Sequence, residues 1–196
     1  MSVQDRKKWD SVYRKHLDKP LPTPDPLLLQ YTPSLSAGDQ VARALDVAAG
    51  FGQNGLWLAG QGYVVDVMEV SRVALERCRK EAEERGLRDL NLLHVDLDTA
   101  DIQVNTYRLV CAFRFLHRKL FARLRASVRP GGRIIYQTFN ENYLKIQYDF
   151  NPEYLLYPGE LVGYFSDWHI IHNSEEDHIS QLVAIKPDDA VNRPAW

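Results

Sequence analysis

The sequence predicts an α/β fold: a mainly parallel, seven-stranded sheet with helices on both faces and an antiparallel hairpin at its C-terminal end. Three observations lead there. From residue 44 to residue 139, short apolar runs of buried-strand character alternate with amphipathic stretches, the pattern of repeated strand–helix–strand units. The first of those strands runs into Gly50-Phe-Gly-Gln-Asn-Gly55, a G-x-G-x-x-G turn that opens a helix. Beyond residue 165 the alternation stops, and two strands joined only by the acidic Ser174-Glu-Glu-Asp177 are close enough to pair as a hairpin.

Taken in order, residues 3–17 place Trp9, Val12, Tyr13, His16 and Leu17 at steps of three and four, one face of a helix. Four prolines, from Pro20 to Pro26, then force an extended connector, behind which residues 27–31 start a short helix. Residues 44–48 read as the first strand. The helix after the glycines ends at Gly60 and Gly62, and residues 63–68 form the second strand, with Glu69 lying 19 positions beyond Gly50. Ser71 can cap a helix running to about Arg85, supported by a Glu76–Lys80 pair and stopped by Gly86.

Residues 89–95 and 107–113 are the third and fourth strands, the former ending at Asp96. An amphipathic helix over 117–128 is ended by Arg129-Pro-Gly-Gly132, and 133–139 is a β-branched and aromatic fifth strand. Residues 140–157 are a long aromatic excursion of the kind that shapes substrate pockets. A helix begun by Pro158, with Glu160 in its first turn, precedes the two hairpin strands at 168–173 and 178–185.

Size and composition point to one domain spanning 1–196. Residues 1–35 form an N-terminal helix and proline-rich arm, either a lid over the ligand or a cover for the sheet edge. Residues 36–196 form the cofactor-binding core, with a substrate-shaping insertion at 140–165. No apolar run approaches the roughly 18 residues needed to span a bilayer, and the N-terminal stretch lacks the hydrophobic region of a secretory signal. Two cysteines, Cys78 and Cys111, make neither a disulfide framework nor a metal finger, so a cytoplasmic protein is expected. The net charge of −2 gives no global attraction to nucleic acid. Residues 102–140 nevertheless carry many basic residues and no acid, either a solvated face or a cationic surface for an anionic substrate or RNA.

The glycines and Glu69 fit a nucleoside cofactor, whose ribose hydroxyls a carboxylate can bind. A dinucleotide dehydrogenase shares both features. Against it, Asp46 sits inside the first strand, where a dinucleotide site wants apolar residues, and the chain lacks a second nucleotide-binding half.

Leu45-Asp-Val-Ala-Ala-Gly-Phe-Gly52, Gly62-Tyr-Val-Val-Asp-Val-Met-Glu69, Asp96, Leu116-His117 and Arg129-Pro-Gly-Gly132 together resemble the class I S-adenosylmethionine-dependent methyltransferases, which have a Rossmann-like sheet. The resemblance covers roughly residues 40–140. Trp9-Asp-Ser-Val-Tyr13, the proline-rich arm, and Pro158-Gly-Glu-Leu161 followed by Trp168 extend it toward the small bacterial tellurite-resistance-type methyltransferases. Arg108, where that family often has Asp, and Ala48, where it often has Cys or Gly, are departures.

The resemblance implies S-adenosylmethionine as cofactor and a binding set of Asp46, Ala48, Gly50, Gly52, Asn54, Glu69, Val70, Asp96, Leu97 and Phe113. Asp46 could instead cap the neighbouring loop, and Asp96 could be an ordinary turn residue. Methyl transfer is an in-line displacement that needs alignment in a dry pocket more than a base. For a neutral acceptor, His117 is the candidate base, competing with a role as a plain pocket-lining residue. Arg114 and His16 could orient an anionic substrate, and Tyr143 and Tyr148 are pocket aromatics. His169 and His172, three apart on a strand, face opposite sides, which argues against a metal site with His178. The expected partner is a small-molecule methyl acceptor, with no membrane role and a monomer or weak homodimer. An RNA methyltransferase and a noncatalytic S-adenosylmethionine-binding module remain the alternatives.

Overall fold

The computed structural model describes residues 3–35 and 41–188. Seven strands make a mixed sheet of order β3-β2-β1-β4-β5-β7-β6, and the chain divides into two compact units, residues 1–101 and 102–196. The expected fold class is therefore met.

In the first unit, α1 (Val3–Arg14) and α2 (Pro26–Tyr31) precede β1 (Arg43–Val47), α3 (Gln53–Gly60), β2 (Val64–Glu69), α4 (Arg72–Glu84) and β3 (Leu90–His94). The arm enters α2 through Asp25, whose carboxylate accepts the Leu27 N–H at 3.0 Å, with Pro26 where a missing N–H costs nothing. β1 pairs with β2 and β2 with β3, all parallel. Both faces of β1 and β2 are covered, so Leu45, Val47, Val65 and Val67 are wholly buried, as their continuous apolar run requires. On α4 the Ala74 N–H donates to the Ser71 Oγ cap, and Ala74, Leu75, Cys78 and Ala82 form the buried stripe. Along that helix the i,i+4 pairs include Arg77–Glu81, one step along from the Glu76–Lys80 pair expected, with Lys80–Glu84 and Glu81–Arg85 further on.

The second unit contains β4 (Tyr107–Phe113), α5 (Phe121–Ser127), β5 (Val128–Phe139), α6 (Glu160–Gly163), β6 (His169–Ser174) and β7 (Ile179–Ile185). β4 and β5 are parallel, while β7 is antiparallel to both β5 and β6. Tyr107, Tyr136, Phe121, Phe165, Leu109 and Leu182 are among the large buried side chains around which these elements close.

Three local expectations are corrected. The helix placed at 117–128 opens as a 3₁₀ turn over Arg118–Leu120 and is α-helical only from Phe121. Arg129-Pro-Gly-Gly132 does not separate helix from strand; the strand starts at Val128, and 129–132 loop out of its ladder opposite Arg108. Pro130 has no N–H to give that ladder, and Gly131 turns with φ +68°. A Cβ on Gly132 would stand 2.8 Å from the Arg129 carbonyl oxygen, so only glycine closes the bulge. Finally, the helix placed after Pro158 is a single turn capped by Gly159 at φ +72°.

Candidate functional site

The carboxyl ends of β1, β2 and β3 form a ledge in the first unit. Its first part is the loop 48–52, in which Ala48, Gly50 and Gly52 all have positive φ, 52°, 59° and 76°. A left-handed alanine is uncommon and marks a constrained, functional turn. The second part is Glu69, the last residue of β2. Its Oε2 accepts the Gly50 N–H at 2.8 Å, and its Oε1 accepts the N–H groups of Val70 (2.9 Å) and Ser71 (2.8 Å). Glu69 is 4% exposed. Burial pushes its pKa up, and the three amide donors counter that without cancelling it. The third part is Asp96 and the buried Leu97. Asp96 Oδ1 accepts the Asp98 N–H and its carbonyl accepts those of Thr99 and Ala100, so it organises the turn that leaves β3.

Cross-links hold the ledge together. Ala49 N–H donates to the Met68 carbonyl, Val95 N–H to that of Glu69, and a His94 ring nitrogen lies 3.0 Å from the Val70 carbonyl oxygen. Asp46 lies beneath this ledge, 1% exposed, its Oδ2 accepting the Gly55 N–H at 2.8 Å. It ties the first turn of α3 to β1, the capping role the sequence had left open. Asn54 turns toward the arm, where its Oδ1 accepts the Asp25 N–H at 2.9 Å.

The glycines are dictated by contacts inside the chain as well as by their torsions. A Cβ on Gly52 would meet Cys78 Sγ at 2.3 Å, and one on Gly55 would meet Val67 at 2.8 Å. Cys78 is buried, and burial pushes its thiol up to about 12, so it is a packing group. Gly52 caps α3 without a side chain, and Asp46 takes only the Gly55 amide of its first turn; a helix N-terminus of this kind suits a ligand carboxylate. With the buried Glu69 carboxylate bonded to the Gly50 amide of the same turn, the ledge fits S-adenosylmethionine, which carries ribose hydroxyls in its adenosine part and a carboxylate at its amino-acid end.

The arm closes against the same ledge. The Tyr13 ring packs edge-on to Phe51, 4.9 Å between centroids, and its hydroxyl would lie 3.0 Å from a Cβ on Gly50. Burial, then the nearby Glu69 charge, raise the Tyr13 pKa. Ser71 Oγ–H donates to Asp10 at 2.6 Å, and Arg77 donates to the carbonyls of Leu17 and Lys19 and sits over the Phe51 ring. Sequence reasoning missed Tyr13 and Asp10 as ledge residues. The signal was their membership of Trp9-Asp-Ser-Val-Tyr13, a stretch that carries part of the family resemblance, while Tyr13 by itself was read as part of a helix face.

In the second unit the residues of interest follow β4 and β5. Phe113 ends β4 opposite Gln137, and Arg114 is exposed with φ +55°, its N–H donating to the Gln137 carbonyl at 2.8 Å. His117 precedes the 3₁₀ turn, its ring 6.5 Å from that of Phe115. Arg118, read from sequence only as one of many cations, is a hub. It donates to both carboxylate oxygens of Glu160 (2.7 and 2.9 Å) and to the carbonyls of Glu153 and Leu155. Burial pushes the Glu160 pKa up, but Arg118, with the Tyr157 N–H and the Tyr164 hydroxyl, outweighs it and holds that carboxyl below its ordinary value. Arg125 is likewise engaged, with Asp167 and the Tyr164 carbonyl. His172 meets Gln181 at 3.0 Å and His178 packs beside Phe139 and Tyr143, so the C-terminal histidines have separate surroundings. No helix among the described residues is long and apolar enough to cross a membrane.

Comparison with known proteins agrees with this geometry. Residues 44–132, from β1 into the bulge of β5, match the family described as a methyltransferase domain. The ubiquinone biosynthesis O-methyltransferase of Vibrio vulnificus is 29% identical over 129 residues, covering 63% of this chain and 55% of that protein. The chain thus matches about half the length of that relative. Among solved structures, one from work on the conversion of a disulfide bond into a thioacetal group during echinomycin biosynthesis has a TM-score of 0.71 at 19% identity, covering 96% of this chain and 95% of the other. TehB from Haemophilus influenzae gives 0.70 at 16% identity, covering 91% and 67%. An S-adenosylmethionine-dependent methyltransferase from Mesorhizobium loti gives 0.66 at 15%, covering 82% and 96%. These structures share the fold. Residues 44–132 thus match a methyltransferase domain, on a fold shared with S-adenosylmethionine-dependent methyltransferases, and the glycine turn with the buried acid after β2 fits S-adenosylmethionine as cofactor.

Proposed function

We propose that the chain is an S-adenosylmethionine-dependent methyltransferase acting on a small-molecule acceptor. The observation that carries this reading is the Glu69 carboxylate, buried at the end of β2 and bonded to the Gly50 amide of the glycine turn. S-adenosylmethionine supplies a methyl group on a sulfonium centre, open to in-line displacement by the acceptor. Glu69 accepts hydrogen bonds from the ribose hydroxyls, while Val70, Asp96 and Leu97 frame the base. Ala48, Gly50 and Gly52 present backbone to the amino-acid portion. Asp46 and Asn54 act at one remove: Asp46 sets the first turn of α3, and Asn54 holds the arm.

Arg114 orients an anionic acceptor, and His117 takes the proton at a ring nitrogen when the acceptor is a neutral hydroxyl or amine. The arm 1–35 is a lid whose Tyr13 and Phe51 contact excludes water from the glycine turn. We read residues 1–196 as one catalytic domain, monomeric or weakly dimeric. The two buried free thiols favour the cytoplasm.

Calorimetric titration with S-adenosylmethionine, followed by a labelled-methyl screen over metabolites, oxyanions and RNA, tests the reading. Binding and transfer to a small molecule are expected. Absence of binding defeats the proposal, transfer to RNA alone moves the acceptor class, and binding without any transfer indicates a cofactor-binding module.

A further inference from the structure

Three aromatic rings and an imidazole meet where β5 ends. Phe139, its last residue, stacks on Tyr143 with centroids 4.1 Å apart and planes at 20°. The His178 ring lies 6.2 Å from Phe139 and 5.6 Å from Tyr143, and Phe150 meets Tyr143 edge-on at 5.0 Å. The backbone frame beneath them is fixed: Asn140 N–H donates to the His178 carbonyl, and Asn142 Nδ2 to that of Asp177. All four rings are only half-buried. A cluster whose sole task was packing would hide its faces, whereas this one leaves them partly open at the carboxyl end of a strand, where open α/β sheets bind ligands.

A second observation adds charge. Arg114 follows the parallel neighbour β4 and is joined by its N–H to Gln137, two residues before Phe139. It is exposed and held in a left-handed conformation. Among the described residues its guanidinium enters no ion pair, whereas Arg118 and Arg125 of the same basic segment are each bonded to an acid.

Resting on the methyltransferase reading above, we propose that the acceptor is a planar aromatic anion, its ring on the Phe139–Tyr143–His178 face and its charge met by Arg114. Ring stacking and a charge-assisted contact are separable, so an acid without a ring gains only one and a neutral aromatic only the other.

The test uses the full chain saturated with S-adenosylhomocysteine, titrated by NMR with benzoate, cyclohexanecarboxylate and benzamide. Benzoate is expected to bind about 3- to 10-fold more tightly than cyclohexanecarboxylate, and roughly tenfold more tightly than benzamide. Tyr143→Leu should erase the first preference and Tyr143→Phe should keep it; Arg114→Gln should erase only the second. If the wild-type chain shows neither preference, the proposal is overturned even if a variant fails to fold. Benzoate preferences that survive Tyr143→Leu and Arg114→Gln in folded protein overturn it equally. S-adenosylmethionine binding, measured in parallel, separates this failure from that of the methyltransferase reading.

Discussion

Glu69 and Gly50, 19 residues apart, are joined by a 2.8 Å hydrogen bond from the glycine amide to the buried carboxylate. The bond makes one unit of the acid and the turn, so a change at Glu69 acts on both. Replacing Glu69 by Ala removes the ribose acceptor and leaves the amides of Gly50, Val70 and Ser71 without their oxygen. Affinity for S-adenosylmethionine should fall about 10- to 100-fold, the value of one or two hydrogen bonds to a charged group. Calorimetry checks this, and an affinity within twofold of wild type would remove Glu69 from the site.

The same carboxylate makes a pH prediction. Its folded pKa is raised by burial, so the proton is held more tightly in the folded chain than in the unfolded one. Its contribution to stability is therefore most favourable below the unfolded value and diminishes as pH rises through the raised folded value. Ribose binding needs the opposite, an ionised acid. Cofactor affinity should thus decline on acidification at a pH above that of an ordinary glutamate, with proton release on binding. Glu69→Gln should bind weakly and without this pH dependence; an unchanged pH profile would contradict the assignment.

Gly52 shows why the turn is glycine irrespective of any ligand. Its φ of +76° and the 2.3 Å approach of Cys78 Sγ to a Cβ both oppose substitution. Gly52→Ala should destabilise the chain by about 2–4 kcal/mol in urea titrations. Cys78→Ala removes the sulfur and leaves the torsion, so the double variant should be more stable than additive losses predict by about 1 kcal/mol. Strict additivity would show that strain, not the contact, sets the cost.

What could be read in advance depended on how local the determinant is. The strand, glycines and helix around Gly50 are written within a dozen residues, and the alternation of strands with amphipathic stretches carried the sheet. Asp46 was conspicuous as a carboxylate in an apolar strand, but only packing shows it reaching Gly55 under the loop. Arg118 was lost among the cations because its partner Glu160 lies 42 residues away. Tyr13 looked like any aromatic on a helix face until the arm folded back onto Gly50. Arg129-Pro-Gly-Gly132 misled differently: its turn chemistry was read correctly, while the strand on either side of it depends on the ladder with β4.

The Arg118–Glu160 pair anchors the 152–160 segment through two carbonyls and one carboxylate. Glu160 is held below its ordinary pKa in the folded chain. That contribution is present above the unfolded value and is lost as pH falls through the lower folded one. The side chains are 33% and 16% exposed, so solvent screening limits the pair to about 1–2 kcal/mol. Glu160→Gln should lower stability by this amount at neutral pH and lose less on acidification than wild type. Equal acid sensitivity of the two proteins would show that other carboxylates dominate there.

The arm is tied at separate points, and those ties are testable apart from the chemistry. Asp10 accepts from the Ser71 hydroxyl and, at 3.4 Å, from the Val73 N–H, while Arg77 holds the Leu17 and Lys19 carbonyls. Neither residue lies in the sheet, so Asp10→Ala or Arg77→Ala should open the arm without unfolding the core. Amide exchange over residues 4–19 should accelerate roughly tenfold in each variant, as expected for the loss of a charged hydrogen bond, while β1 and β2 keep their protection. Because both ties close one element, loosening the first weakens what the second can hold, and the double variant should deviate from additivity. If the arm is a lid, S-adenosylmethionine should restore protection to residues 4–19 in both single variants. Restored binding with the arm still exchanging freely would leave the helix as a cover for the sheet edge, with no part in enclosing the cofactor.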